Sequence, residues 1–125
     1  MSGRGSTPRK RALKNFFTLL FSGKLSKAEN SLEGIRKRYK LGKDDPYYKA
    51  LYGIYYTYTS DDRDSFVFKL WERYLNGEKK NALRRSFKEI LEKSYDPPRR
   101  FIKAWLDLID MLDILPRPHK IKKPS

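Results

Sequence analysis

The chain has 125 residues, with 29 Lys or Arg against 15 Asp or Glu, a formal net charge of +14, no Cys and a single His. That length suits one domain, and a lone His119 without Cys excludes a disulfide framework, a thiolate zinc site and a His-based metal cluster, so no metal or cofactor is implied. No run approaches the roughly 18 apolar residues of a membrane span and the first residues lack a signal-peptide stretch, so the expected protein is soluble and intracellular, has no membrane partner, and lies in the cytoplasm or inside a nucleoprotein particle such as a virion.

In chain order the apolar residues recur at helical spacing. Leu13, Phe16, Phe17 and Leu20 form a first amphipathic helix, and Leu25, Ala28, Leu32, Ile35 and Tyr39 a second. A third, from Tyr47 to Tyr58, is dominated by tyrosine. Val67, Leu70, Trp71 and Tyr74 give a fourth, Leu83, Phe87 and Ile90 a fifth, and Phe101, Trp105, Leu108, Ile109 and Leu112 a sixth. Thr7-Pro8, Asp45-Pro46 and Asp96-Pro97 each set a capping side chain before a proline suited to a first helical turn. Ser60, followed by Asp61, Asp62 and Asp64, is expected to open the fourth helix with acids at its positive dipole end. Breaks fall at Ser22-Gly23, Leu41-Gly42, Thr59-Ser60, Asn76-Gly77 and Ser94-Tyr95. The expected fold class is all-α: a single antiparallel helical bundle or helical-hairpin stack of about six helices over residues 8–115. A basic, extended arm precedes it at residues 1–7 and a basic, Pro-rich tail follows at 116–125. A faint repeat at an offset of 54 relates Phe17, Leu20, Phe21, Gly23, Ala28 and Ala50 to Trp71, Tyr74, Leu75, Gly77, Ala82 and Ala104, as two helical triplets would.

Charge is uneven. Residues 1–28 hold Arg4, Arg9, Lys10, Arg11, Lys14, Lys24 and Lys27 without an acid, and the tail adds Arg117, Lys120, Lys122 and Lys123, so the ends carry 11 of the 14 net charges. Segments of one sign stay extended until a polyanion neutralises them and releases its counterions, which points to a nucleic acid, with DNA favoured and RNA as the alternative. Within the folded middle, Arg84, Arg85 and Lys88 on the fifth helix and Arg99 and Arg100 at the start of the sixth are further candidate phosphate contacts. Arg36, Lys37, Arg38, Lys40 and Lys43 form another cluster at the end of the second helix. Nothing marks a base-reading helix, so the expected contacts are independent of sequence.

Six tyrosines in the third helix, including Tyr47, Tyr48, Tyr52 and Tyr56, occupy too many angles for one stripe. Core packing on several sides, a subunit interface and base stacking all remain open for them and for Phe68. No catalytic constellation is found: His119 has no nearby nucleophile or carboxylate partner in sequence, and the phosphate-binding Gly motifs are missing. Asp107, Asp110 and Asp113 share one flank of the last helix, where Lys103 and Asp107 form an i,i+4 pair. Asp110 and Asp113 near its negative dipole end require a cation, either from the tail folding back or from a neighbouring copy.

Gly23, Ala28 and Leu32, then Pro46 and Tyr52-Gly53-x-x-Tyr56, resemble a tetratricopeptide-repeat junction over residues 23–56, which implies stacked helical hairpins and allows a protein–protein adaptor. Gly5-Ser6-Thr7-Pro8-Arg9 before a basic amphipathic helix resembles coat proteins of filamentous archaeal viruses. That resemblance implies a non-enzymatic, self-assembling subunit wrapping double-stranded DNA with Arg4, Arg9, Lys10, Arg11 and Lys14. Basic extensions on a small body also resemble ribosomal proteins, which would make the partner RNA.

Overall fold

The computed structural model describes residues 6–95 and 97–121. Six helices, α1 Lys10–Phe21, α2 Leu25–Arg38, α3 Pro46–Thr59, α4 Phe66–Leu75, α5 Lys80–Tyr95 and α6 Arg99–Met111, end in a 3₁₀ turn at Leu112–Ile114, and no strand is present among the described residues. The protein is all-α, a helical bundle of hairpins whose most extensive packing joins α3 to α6. The apolar stripes read from the sequence are the buried ones: Leu13, Phe16, Phe17, Leu20 and Phe21 on α1, Ala28, Leu32 and Ile35 on α2, and Ala104, Trp105, Leu108 and Ile109 on α6.

The two halves are built alike. At the end of α1 the amides of Ser22, Gly23 and Lys24 donate to the carbonyls of Thr18, Leu20 and Leu19; 54 residues on, those of Asn76, Gly77 and Glu78 donate to Glu72, Tyr74 and Arg73. Both are glycine-ended caps, with φ +85 at Gly23 and +105 at Gly77. Leu13, Phe16, Phe17, Ala50, Leu51, Ile54 and Tyr58 are buried, and so are their counterparts Val67, Leu70, Trp71, Ala104, Trp105, Leu108 and Leu112. The correspondence fails at the end of the first helix, where Leu20 and Phe21 are buried but Tyr74 and Leu75 only partly so, and between α2 and α5, where Ala28 is buried and Ala82 exposed.

Several boundaries differ from expectation. Asp45 does cap α3, accepting from the Tyr47 amide at 2.8 Å with Pro46 in the first turn. Ser60 does not open α4: its hydroxyl bonds back to the Tyr56 carbonyl at 2.7 Å, Asp61 turns through φ +62, and α4 begins at Phe66. The acids therefore lie in the loop rather than at a dipole end. Likewise α1 begins at Lys10, behind Thr7 and a buried Pro8, and α5 runs through Tyr95. Asp96 lies outside the described residues.

The tail is not an extended arm as far as Ile121. Pro118 is buried, the His119 amide donates to the Phe21 carbonyl at 2.7 Å, and Lys120 Nζ donates to the carbonyls of Tyr58 and Thr59 at 2.8 and 3.2 Å. Lys120 thus supplies a cationic donor to the carbonyls at the C-terminus of α3. The Lys120 amide donates to the Tyr58 hydroxyl, which shares a second hydrogen bond of 2.8 Å with Nδ1 of the solvent-exposed His119.

Candidate nucleic-acid interface

Among the described residues the uncompensated charge is concentrated on a folded hairpin. Residues 6–43, which include α1 and α2, contain eleven Lys or Arg and two Glu, whereas residues 44–121 contain fifteen against thirteen acids. Among the described residues only Arg36 of those eleven has a carboxylate within ion-pair distance, against seven of the fifteen.

Arg9 just before α1, Arg11 and Asn15 from α1, and Ser31, Gly34, Arg38 and Tyr39 from α2 and its end line one groove of about 1170 Å³. It follows from helical spacing: Ser31, Gly34, Ile35 and Arg38 form one stripe of α2, and Arg11 and Asn15 stand one turn apart on α1. No carboxylate lines the groove. Its three guanidiniums are fork-shaped donors matched to phosphate oxygens. Asn15 and Ser31 meet at a long 3.4 Å, leaving hydrogen-bonding capacity on both. A Cβ at Gly34 would meet nothing within 4 Å, so a ligand can approach the α2 backbone there. Arg9, Lys10 and Arg11 also crowd the positive dipole end of α1, which has no acid in its first turn and no side-chain cap. Lys14, Lys24 and Lys27 are exposed beyond the groove on the same hairpin.

Other expected contacts are used by the fold. Arg100 makes a bidentate pair with Asp45 at 3.0 Å, the carboxylate that caps α3, so the cation at the start of α6 is answered from within the chain. Arg84 pairs with Asp110, and Lys80 reaches Asp113 at 2.9 Å and the Asp110 carbonyl at 3.1 Å. The cations required at the C-terminal end of α6 thus come from α5, not from the tail or a neighbouring copy. Hydrogen bonding from Lys80 holds the Asp113 carboxyl below its ordinary range. Asp107 accepts from Lys103 at 3.0 Å and from the Tyr47 hydroxyl at 2.6 Å, so each acid of the series has its own partner. Arg85, Lys88, Arg99 and Arg117 are exposed without a carboxylate partner among the described residues, and Arg4, Lys122 and Lys123 lie outside them.

The tyrosines divide. Tyr47 and Tyr58 are fully buried, and Phe68 is buried against Tyr58 with ring centroids 5.2 Å apart, so these three belong to the core rather than to an interface. Burial first, then the Asp107 hydrogen bond, pushes the Tyr47 phenol far above the tyrosine range. Tyr48 is half-buried, and Tyr52 and Tyr56 face solvent. Asn15, Ser31 and Gly34 are not among the residues the sequence singles out, and Tyr39 enters there only as part of the apolar face of the second helix; the signal for Ser31 and Gly34 was a small and polar stripe running beside the apolar one on α2.

No known family, curated protein or solved structure matches the chain. No helix among the described residues is long and apolar enough to cross a membrane.

Proposed function

We propose that the protein binds nucleic acid without catalysis, coating or packaging DNA in a nucleoprotein assembly through sequence-independent phosphate contacts made by the α1–α2 hairpin. The observation that carries this reading is the groove of three arginines without a lining carboxylate, on a hairpin whose cations are almost all unpaired. Phosphate binding by such a surface releases condensed counterions, so affinity falls linearly with salt on a log-log plot by nearly one unit per contact. Arg4, Lys122 and Lys123 would add contacts from the chain ends.

The test is fluorescence anisotropy with duplex DNA, single-stranded DNA and duplex RNA across a salt series, with electron microscopy of the complexes. Tight duplex-DNA binding with a slope of several units and regular particles is expected. Preference for RNA without such particles would move the protein to a ribonucleoprotein subunit. Absence of binding to all three would leave the basic hairpin to an acidic protein.

A further inference from the structure

On the side of α2 opposite the arginine groove the chemistry reverses. Tyr48, Tyr52 and Tyr56 succeed one another at i,i+4 on α3, with ring centroids 6.2 Å apart at both steps and the rings stacked. Tyr52 is 47% and Tyr56 56% exposed. Between this ridge and α2 lies a hollow of about 300 Å³, with Tyr48, Tyr52 and Tyr55 on one wall and Glu29 and Glu33 on the other. Burial raises the phenols of Tyr48 and Tyr55, with Glu33 and Glu29 as the next causes and the nearby Arg36 opposing at Tyr48, in agreement with a carboxylate beside each ring. Glu33 shares Arg36, whereas Glu29 has no cation within ion-pair distance among the described residues. In a chain of net charge +14, no Lys or Arg lines this hollow.

Ring faces with a carboxylate beside them attract an ammonium or guanidinium and repel a phosphate. We infer that the hollow receives a Lys or Arg side chain of a second copy of this chain, joining copies head to tail on a nucleic acid. The complementary charge is present on α4 and α5, where Lys69, Arg85 and Lys88 are exposed, lie outside the arginine groove and have no carboxylate within ion-pair distance among the described residues. Unlike surfaces meeting in this way form an open chain rather than a closed dimer. A stable interface needs about 800 Å² per partner, more than one tyrosine ridge offers, and copies of this charge repel. The contact is therefore weak alone and forms when a polyanion neutralises the copies and holds them close, which rests on the proposed function.

The experiment compares wild type with Tyr52→Ala/Tyr56→Ala and with Tyr48→Ala/Tyr52→Ala on a short duplex that holds one copy and on long duplex DNA. Tyr52 and Tyr56 are exposed and Tyr48 is half-buried, so the fold stays intact, which circular dichroism checks. Short-duplex affinity within two-fold of wild type, with cooperativity on long DNA reduced roughly ten-fold in both variants, supports the inference. Undiminished cooperativity in either overturns it while the proposed function stands. If wild type does not bind even the short duplex, the proposed function falls and the inference, which rests on it, falls with it.

Discussion

The hairpin α1–α2 and the hairpin α4–α5 are the same construction put to different electrostatic use. They share a glycine-ended cap, a matching set of three apolar anchors on the first helix, and a third helix that packs against its counterpart. Yet residues 6–43 hold eleven cations and two acids, while the corresponding residues 60–97 hold nine and eight. In the second hairpin Arg73 pairs with Glu78, Arg84 with Asp110 and Lys80 with Asp113; in the first, Arg9, Arg11 and Arg38 turn into an open groove. The apolar stripe that fixes the fold leaves the outer faces free, and the outer faces differ: in the second hairpin four of the nine cations pair with carboxylates, whereas among the described residues of the first only Arg36 does.

This contrast can be broken by variants that separate stability from binding. The largest loss of stability is expected from Asp45→Ala, which removes the α3 cap and strands Arg100: about 3 kcal/mol by urea unfolding, with short-duplex affinity unchanged. An equal loss of binding would mean that the C-terminal half shares the nucleic-acid surface. Next come the paired glycines. Gly23→Ala and Gly77→Ala both force a side chain into positive φ, at about 1–2 kcal/mol each. At Gly23 the new Cβ would also lie 2.9 Å from the His119 ring, and at Gly77 it would meet nothing, so Gly23→Ala should cost the more. Equal melting temperatures would show that the tail does not dock on α1.

Alkali gives a smaller, graded effect. Tyr47 keeps its proton in the folded state while the unfolded tyrosine loses it near pH 10, so its stability contribution is present below that pH and is lost as pH rises above it. Tyr47→Phe should flatten the decline of stability above about pH 10, and an unaltered profile would remove Tyr47 from the account. The smallest effect belongs to Lys80→Gln with Arg84→Gln. Their pairs are exposed, so less than about 1 kcal/mol is expected, diminishing with salt. A larger loss would mean that α5 and α6 depend on those pairs.

Helix number and the buried faces were legible because periodicity records which side of a helix avoids water. Asp45-Pro46 was legible because a cap is local, and the offset of 54 because both glycine caps use one residue pattern. What depended on distant partners was not. Arg100, Arg84 and Lys120 look like free cations until Asp45, Asp110 and the end of α3 are placed beside them. Tyr47 and Tyr58 could not be separated from Tyr52 and Tyr56 without knowing that α3 is covered by α6 and by the tail. The arginine groove was half legible: its Arg9 and Arg11 stood out as charge, but Arg38 joined them only through the packing of α1 on α2.

The most direct measurement is the salt dependence of short-duplex DNA affinity for two triple variants, Arg9→Gln/Arg11→Gln/Arg38→Gln and Arg84→Gln/Arg85→Gln/Lys88→Gln. The account predicts that the first lowers the log-log slope by about three and weakens binding at least ten-fold at low salt, while the second changes the slope by less than about one. Equal losses, or a larger loss from the α5 set, would contradict the assignment of the nucleic-acid surface to the N-terminal hairpin.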